Sequence, residues 1–458
     1  MADGCLSLDL INPKALVPPA ALLFFYLPVP FGGTHSVNTE LQKATPRTSP
    51  KRRAALMAWS QPGAFATPRR CDVLSCGGRP PRCAASVVAT EPVAAPAAFP
   101  PLRLGSLNLQ SAALLSPLEA VSCVGFRELC FQHGAGIVWP EMLRAAALAR
   151  GNSSTFDLAD TFSTGAVTGL QLLASSGEEL IAALRRLEAA AATTRPHLAS
   201  IRAIDLNLGC PSPAVIRAGA GPALLKRRAR LAGLFDALVA FKASSGLSIG
   251  AVGVKIRLGL NATEAEARVY LPLVDLATAA GLDYVTVHAR HAGQRSRDTP
   301  RWDAIGEAKA RVRGSSVHAF LFFFHDSLLL TPPSPQAGPS LAIIGNGDVF
   351  SFEDAVEMRR RTGCDGVMLA RAAIRNPAVF NAFLPGAALP RGDGVRGCWM
   401  DVPAVDAAEQ RYIAASARHG TKPKYTAFHA ANFARLRRVA ETGDVSLPVA
   451  SPSTIHLS

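Results

Sequence analysis

One stretch decides the fold of this chain: Ile201-Arg202-Ala203-Ile204-Asp205-Leu206-Asn207-Leu208-Gly209-Cys210-Pro211-Ser212-Pro213. Its apolar, alternating first part, residues 201–208, is typical of a buried strand. Gly209 and Pro211 end that strand, so Cys210 falls on the loop at its carboxyl end. In a barrel of alternating strands and helices, that rim carries the chemistry. The thiol is either a general acid or nucleophile, or a buried structural cysteine.

The same alternation extends from about Asn108 to Phe380. Helical patterns lie between most strands, for example Glu178–Ala191 and Glu266–Ala280, the second with Pro272 as a kink or restart. Eight strands with intervening helices predict an α/β fold, a (β/α)8 TIM barrel, with a doubly wound sheet as the alternative. No Gly-x-Gly-x-x-Gly follows a strand, which argues against a Rossmann unit. The predicted strands are Ala112–Leu115, Gly136–Trp139, Val167–Leu173, Ile201–Leu208, Val252–Ile256, Tyr284–Val287, Leu341–Ile344 and Gly366–Leu369.

Composition limits the classes of protein that fit. The chain has 458 residues, 49% of them hydrophobic, and a formal net charge of +14. That length supports a large core, and the positive charge suggests a polyanionic partner such as nucleic acid. The nine cysteines are odd in number and scattered. They indicate neither a disulfide framework nor a metal site, and hence a reducing compartment.

Residues 1–105 are predicted to be a targeting or disordered extension. Residues 43–96 are rich in Arg and contain only two acidic residues, a composition typical of an organelle transit peptide. The apolar stretch Ala15–Phe31 is broken by prolines and is a poor membrane span. We therefore expect a plastid or mitochondrial protein without a membrane partner, with the cytoplasm as the alternative. A true start at Met57 is a second explanation of the extension.

The predicted barrel spans residues 106–384, but residues 312–336 interrupt its pattern. This segment is rich in Phe, Leu, Ser and Pro, whose codons are rich in pyrimidines, and a codon for its last residue, Gln336, can end in AG. The segment is therefore either a translated intron or a genuine inserted loop. Its removal would join Arg311 to Ala337 in a natural helix-to-strand turn.

A smaller unit follows the barrel. Residues 385–404 are rich in Pro and Gly and are predicted to be a linker. Two helical patterns, Val405–Arg418 and Tyr425–Glu441, form a predicted appendage at 405–442, before a disordered tail at 443–458. The appendage is either an RNA-binding unit or an ordinary solvated helix pair. Among its basic residues are Lys422, Lys424, Arg435, Arg437 and Arg438.

Further polar and glycine residues follow the predicted strands in order. Each alone is typical of a turn, a core histidine or a structural ion pair. Because carboxyl ends of barrel strands meet on one rim, six such elements indicate one ligand site. Loops after the last two strands often bind phosphate, and a lysine within an apolar strand is costly unless it faces a charged group. The elements are Pro117-Leu118-Glu119, Gln171, Lys255 with Arg257, His288 with Arg290, Gly345-Asn346-Gly347-Asp348 and Ala370-Arg371-Ala372.

In this ordered set the chain resembles the tRNA-dihydrouridine synthase family over about residues 110–383, with a weaker resemblance at 405–440. The Pro-x-Glu form of the first motif is most similar to the bacterial subgroup that acts on the tRNA D-loop. The motifs are Ser116-Pro117-Leu118-Glu119-Ala120-Val121 with Phe126-Arg127, Glu141-Met142, Asn207-Leu208-Gly209-Cys210-Pro211, Val254-Lys255-Ile256-Arg257-Leu258-Gly259, Val287-His288-Ala289-Arg290, Trp302-Asp303-Ala304-Ile305, Ile344-Gly345-Asn346-Gly347-Asp348 and Cys364-Asp365-Gly366-Val367-Met368.

The resemblance implies an FMN-dependent enzyme that reduces a uridine of tRNA to dihydrouridine, with NADPH reloading the flavin. It implies hydride transfer to carbon 6 of the uracil and a proton for carbon 5 from Cys210 as general acid. It also implies a substrate site at Asn207, Arg257 and Arg290, and a monomer that binds tRNA without a metal. The uridine would have to leave the tRNA stack. By the same resemblance, the FMN is lined by Pro117, Leu118, Glu119, Gln171, Lys255, His288, Asn346, Gly347, Asp348, Ala370 and Arg371.

The chain departs from the family pattern in places. The usual Gly-Arg-Gly after the last strand is Ala370-Arg371-Ala372 here. A methyl at either alanine could crowd a phosphate or require a φ that alanine disfavours. Two other functions therefore stay open. A dihydroorotate-type FMN barrel explains the flavin loops but not the basic appendage, and a flavin-less RNA-binding remnant is motivated by the alanines and the insertion.

Overall fold

The computed structural model describes residues 99–161, 165–323, 341–387 and 400–452, with the backbone alone for 314–323. These residues lie within one compact unit, Val88–Ser458. The predicted targeting extension up to residue 98, most of the predicted linker and the end of the tail fall outside the described residues. The part of the predicted insertion beyond Phe323 also falls outside them.

The described strands form one hairpin and one large parallel sheet. The hairpin pairs β1 (Arg103–Leu104) with β2 (Leu107–Asn108). The strands of the sheet are β3 (Ala113–Leu115), β4 (Leu143–Arg144), β5 (Thr168–Leu173), β6 (Ile201–Leu208), β7 (Ala251–Arg257), β8 (Tyr284–His288), β9 (Ala342–Asn346) and β10 (Gly366–Leu369). They pair in the order β3-β10-β9-β8-β7-β6-β5-β4.

Residues 136–139 close this sheet into a barrel. On one side, Gly136 N–H donates to the carbonyl of Ala113 at 2.8 Å. On the other side, Gly169 N–H donates to the carbonyl of Val138 at 3.0 Å. The predicted second strand, Gly136–Trp139, is therefore present as an irregular strand that bonds to both neighbours. The predicted (β/α)8 barrel is confirmed, and the doubly wound alternative is wrong.

Helices follow the strands along the chain, as the barrel requires. None of the helices in the described ranges is both long and apolar enough to cross a membrane. The α-helices are α1 (Val124–Gln132), α2 (Ala145–Ala149), α3 (Ser153–Leu158), α4 (Gly177–Thr193), α5 (Pro213–Arg217), α6 (Arg228–Ser244), α7 (Ala262–Glu266), α8 (Leu271–Ala280), α9 (Asp303–Phe323), α10 (Phe352–Thr362), α11 (Arg371–Arg375), α12 (Val402–Arg418) and α13 (Pro423–Thr442). Short 3-10 helices span Pro196–Ser200, Gly221–Leu224 and Pro377–Phe383.

Local sequence explains where the helices begin and end. The Ser176 side chain accepts the backbone N–H of Glu179 and so caps α4. The helix predicted over residues 266–280 is divided: Glu266 is the last residue of α7, and α8 begins at Leu271. Pro272 lies in the first turn of α8, where a missing N–H costs nothing. Pro272 therefore marks a restart. The backbone of α9 continues to Phe323, past the predicted beginning of the insertion.

The barrel interior is filled by large side chains opposite glycines. Trp139 and Tyr284 are fully buried in the interior cluster, with ring centroids 6.5 Å apart. A Cβ on Gly169 would lie 2.2 Å from the Trp139 ring, and a Cβ on Gly253 would lie 2.5 Å from the Tyr284 ring. The two glycines therefore make room for two aromatic rings below the rim.

The C-terminal helices α12 and α13 pack against α1 at the barrel surface. The ring of Phe126 stacks on that of His429, with centroids 4.4 Å apart. The buried carboxylate of Glu128 accepts from Arg418 at 2.7 Å and from His419 at 2.9 Å. These contacts fix both helices to the barrel within the described structure.

The five basic residues predicted for this appendage are not equivalent. Arg435 is buried, and its guanidinium donates to the carbonyl of Leu447 at 2.7 Å. Arg437 is paired with Asp406 and Glu409. The exposed cations of the set are Lys422, Lys424 and Arg438. Of these five residues, Lys422, Lys424 and Arg438 remain candidates for contact with a polyanion.

We expect Gly169→Ala to lower the free energy of unfolding by about 1–3 kcal/mol, because the added methyl overpacks the Trp139 ring. Urea denaturation measures the change. The matched control is Gly233→Ala on α6, where nothing lies within 4 Å of the added Cβ. Helix propensity should leave that variant unchanged or up to about 1 kcal/mol more stable. Equal losses in both variants would contradict the packing explanation.

Candidate active site

Residues predicted for one ligand meet at the carboxyl rim of the barrel. Asn207 on β6 and Lys255 on β7 are paired in register. Arg257 pairs with His288, and His288 pairs with Asn346 on β9. Because neighbouring strands lie about 4.8 Å apart, these five residues occupy one continuous arc of the rim.

The Cys210 loop rests on a chain of side-chain amides. The Asn207 carbonyl oxygen Oδ1 accepts the backbone N–H of Gly209 at 3.1 Å and of Cys210 at 2.9 Å. Its nitrogen Nδ2 donates to Oε1 of Gln171 on β5 at 2.6 Å. In turn, Nε2 of Gln171 donates to Oδ2 of Asp205 at 2.6 Å. Two neighbouring strands thus hold the half-buried Cys210 through three side chains.

Two buried charges of opposite sign lie beneath this loop. Burial raises the pKa of Asp205 from 3.8 to about 7, against the bond from Gln171 and the charge of Lys255. Burial and the charge of Arg257 lower the pKa of Lys255 to about 8, although Asp205 and Cys210 act in the opposite direction. Near neutral pH, Lys255 therefore supplies positive charge within electrostatic range of the Cys210 sulfur.

His288 is neutral at neutral pH. Burial lowers its pKa well below 6.5, and the cations Lys255, Arg257, Arg290 and Arg371 lower it further. The neutral ring can donate from one nitrogen and accept at the other. It can therefore bind a polar ligand without adding charge to a rim that is already cationic.

A cavity of about 110 Å³ lies between β7, β8, β9 and β10 at this rim. Its volume is a few times that of one water molecule, which suits a phosphate-sized group. Gly347 shapes it: its φ is +124°, and a Cβ would lie 3.2 Å from Cβ of Pro300. The lining residues are Arg257, His288, Arg290, Ser296, Asn346, Gly347, Asp348, Val349, Phe350, Met368, Ala370 and Arg371.

The carboxylate of Asp348 joins two arginines beside this cavity. It accepts from Arg290 at 2.6 and 3.0 Å and also from Arg371. The Arg290 side chain is only 2% exposed and also donates to the carbonyl of Asp298. The predicted substrate contact of Arg290 stays a prediction: its guanidinium is bonded to Asp348 and Asp298, and the residue also lines the cavity. Arg371 is 39% exposed and remains available to a ligand.

The two alanines that depart from the family pattern fit the backbone. Ala370 has φ −119°, and Ala372 lies within α11. Neither is among the described residues with positive φ, so the backbone makes no demand for glycine at these positions. Ala370 lines the cavity, which leaves crowding of a phosphate as the one open part of that expectation.

The first predicted motif lies on the loop after β3. Pro117 and Leu118 are half-buried, whereas Glu119 is exposed. The backbone N–H of Leu118 donates to Oγ of Ser122 at 3.1 Å. Glu141 accepts hydrogen bonds from the backbone N–H of Ala120 and from the hydroxyl of Tyr425. The sequence places this residue in a family motif but does not predict it as a site residue. This acid ties the loop to α13.

Sequence reasoning missed Asp205 as a site residue. It was counted as part of the apolar strand, although it lies two residues before Asn207 and therefore on the same face. An ionisable residue inside an otherwise apolar strand was the signal that could have found it.

A larger cavity, about 950 Å³, lies elsewhere. It is lined by Leu102, Ala342 and Asp365, near the amino ends of β9 and β10. That end of a barrel stabilises the fold rather than carrying chemistry. Among the described residues, no group of three or more His, Cys, Asp or Glu could hold a metal ion.

The model of the dihydrouridine synthase family matches residues 114–319 and 336–432, which is more than half of the chain. The chain belongs to the dihydrouridine synthase family. The match leaves out residues 320–335, which lie within the predicted insertion. The Pro-x-Glu subgroup stays a prediction.

Two proteins that are named as tRNA-dihydrouridine synthases are similar to part of this chain. A Mycobacterium tuberculosis protein named "Probable tRNA-dihydrouridine synthase" is 31% identical over 291 residues, which cover 61% of this chain and 64% of that protein. A Coprinopsis cinerea protein named tRNA-dihydrouridine(47) synthase, NAD(P)(+), is 28% identical over 274 residues, which cover 60% of this chain and 36% of that protein. The chain thus spans less than two thirds of the length of these relatives.

The solved structures found to be similar are more distant in sequence from this chain. Morphinone reductase is 14% identical, with a TM-score of 0.41, over 65% of this chain and 92% of that one. The structure titled "Crystal structure of TcOYE with pHBA" is 13% identical, with a TM-score of 0.37, over 61% of this chain and 90% of that one.

The raised pKa of Asp205 predicts a pH-dependent stability. Between about pH 4 and pH 7 the folded state keeps a proton that the unfolded state has released, so stability falls as pH rises. The loss attributable to this group is up to about 4 kcal/mol. Asp205→Asn removes this titration. We expect the free energy of unfolding of the variant, relative to wild type, to rise over that window in urea denaturation.

Glu357→Gln is the control for this measurement. Arg360 lowers the pKa of this exposed acid, so its ionised form is favoured by folding and the variant should change in the opposite direction. The change should be small because the group is fully solvated. A flat difference for Asp205→Asn would contradict the raised pKa.

Proposed function

We propose that this chain reduces a uridine of tRNA to 5,6-dihydrouridine, with FMN as the bound cofactor and NADPH as the reductant. The observation that carries the proposal is the arrangement at the rim: Cys210 and Lys255 lie on neighbouring strand ends, and the cradle at Gly347 lies farther along the same rim. Membership of the dihydrouridine synthase family and the names of the relatives support the substrate and the reductant.

The residues at the rim fit FMN. The glycine cradle at Gly347 leaves a phosphate-sized space that a Cβ would fill. Arg371 offers an accessible guanidinium at that space, and guanidinium groups bind phosphate by two parallel hydrogen bonds. Lys255 would hold the negative charge of a reduced ring. His288 would offer an uncharged polar contact along the ring. The contact of Gln171 with the cofactor stays a prediction, because this residue is 1% exposed and its amide is bonded to Asp205 and Asn207.

When bound and reduced, FMN supplies the hydride for carbon 6 of the uracil. The protein's part is to hold the base and deliver a proton. Cys210 holds that proton on Sγ and gives it to carbon 5 as general acid. Asn207 presents the second hydrogen of Nδ2 to a carbonyl oxygen of the uracil, since its Oδ1 accepts two backbone N–H groups and its first Nδ2 hydrogen is donated to Gln171.

The tRNA would lie across the rim and the appended helices. Lys422 and Lys424 are exposed at the beginning of α13, and Arg438 is exposed farther along it. Phosphate contacts from such cations bind nucleic acid without sequence preference and weaken with salt. They would offset the few kcal/mol needed to take the uridine out of its stack.

The first test is the absorption spectrum of the purified chain, followed by reduction with NADPH and mixing with unmodified tRNA. We expect a flavin spectrum and tRNA-dependent reoxidation of the flavin, with dihydrouridine formed in the tRNA. A flavin that is reoxidised equally without tRNA would favour a small-molecule oxidoreductase. A flavin-free chain that still binds tRNA would favour an RNA-binding remnant.

Cys210→Ala should retain its flavin spectrum and lose dihydrouridine formation by at least about a hundredfold, because a positioned general acid contributes that much or more. Mass spectrometry of digested tRNA measures the product. Cys130→Ala is the matched control, since Cys130 on α1 is fully buried in the hydrophobic core. Turnover of Cys210→Ala equal to that of this control would remove Cys210 from its role.

Gly347→Ala should lose flavin occupancy by at least about tenfold, because a Cβ at φ +124° is strained and approaches Pro300. Flavin absorbance per chain measures the loss. Gly281→Ala is the matched control: it also has a positive φ, +80°, but nothing lies within 4 Å of its added Cβ. This control should lose stability and keep its flavin. Flavin retained equally in both variants would rule out the cradle.

A further inference from the structure

Four hydrogen bonds connect the Cys210 loop to Asp205, and all four are donated in the direction of Asp205. Gln171 Nε2 donates to Asp205 Oδ2, and Asn207 Nδ2 donates to Gln171 Oε1, each at 2.6 Å. The backbone N–H groups of Gly209 and Cys210 donate to Asn207 Oδ1. In every bond the acceptor lies on the side of Asp205.

Packing alone does not decide which way each amide points, since the oxygen and nitrogen of a side-chain amide have nearly the same shape. The ends of the chain remove this freedom. An ionised carboxylate can only accept, and a backbone N–H can only donate. With Asp205 at one end and the Cys210 loop at the other, reversal of Gln171 or Asn207 would set a donor against a donor or an acceptor against an acceptor.

Stability is a poor explanation for the presence of this acid. Asp205 is 1% exposed, and within the described residues its second oxygen, Oδ1, has no hydrogen-bond partner. The hydroxyl of Tyr284 on β8 lies beside this carboxylate and lowers its pKa, but among the described residues it too makes no hydrogen bond of ordinary geometry. Burying incompletely bonded polar groups costs free energy. A buried acid of this kind, two residues from a rim loop, is typical of a residue kept for the site it supports.

We propose that Asp205 is a positioning residue that acts through Gln171 and Asn207. It sets the polarity of both amides, holds the loop that carries Cys210, and leaves Asn207 with a donor for the ligand. This second part rests on the proposed function. A donor at that point recognises a carbonyl oxygen, as in uracil, and repels an amino group, as in cytosine.

The test is the rate at which iodoacetamide alkylates Cys210 in the full chain as purified, at about pH 8, where Asp205 is mostly ionised. Mass spectrometry of the peptide that contains Cys210 reports this thiol alone. In Asp205→Asn either end of the new amide can face Gln171, so the loop loses its fixed anchor. We expect alkylation of Cys210 to be at least about three times faster than in wild type.

The double variant Asp205→Asn with Gln171→Glu separates polarity from other effects. The amide at 205 then donates to one oxygen of the carboxylate at 171, and the other oxygen accepts from Asn207 Nδ2. Net charge and shape are as in wild type. We expect the alkylation rate to return to within about twofold of wild type. Tyr284→Phe, which removes a hydroxyl beside the same acid, should leave the rate unchanged.

An unchanged rate in Asp205→Asn overturns the proposal. It is also overturned if the folded double variant alkylates as fast as Asp205→Asn. If Asp205→Asn does not fold, the double variant decides alone, because only the polarity argument expects it to fold with a wild-type rate. The alkylation needs neither tRNA nor NADPH. Failure of the proposed uridine reduction would therefore appear as inactive wild type with the alkylation pattern intact.

Discussion

The parallel register of β6 to β9 is the constraint on which the site depends. It places Asn207 beside Lys255, and Arg257 beside His288 and Asn346. Side chains separated by tens of residues along the chain thereby share one rim. The register of β7 and β8 is supported from within by the Tyr284 ring, which packs where a Cβ on Gly253 would lie. A slip by one residue would turn every one of these groups to the other face. Packing below the rim and chemistry on it are therefore one requirement.

The rim concentrates positive charge where an anion is expected. Lys255, Arg257 and Arg371 lie together, and burial, together with the charge of neighbouring cations, lowers the pKa of each. Such an arrangement costs free energy in the folded chain and favours binding of a negatively charged group that relieves it. Asp348 already relieves part of it by pairing with two arginines. The neutral form of His288 follows from the same field.

Much of the barrel could be predicted from sequence because alternation and turn residues are local signals. Seven of the eight predicted strands end within two residues of their observed ends. The signal failed where tertiary contacts decide. Residues 136–139 are bonded on both sides yet irregular, and Pro272 gave no indication of whether it bends or restarts a helix. The direction of Arg290 depends on Asp348, which lies 58 residues away, so no local pattern could reveal that its guanidinium faces inward.

Departures from a family motif have to be judged by backbone conformation. Glycine is required at Gly347, because its φ is positive and Pro300 lies against the place of a Cβ. Glycine is not required at Ala370, whose φ is −119°. Position 372 lies within a helix, where alanine is more favourable than glycine. The two substitutions in this chain therefore fall where the fold tolerates them. Gly347 and Arg371, which line the cavity at this end of the rim, are both present.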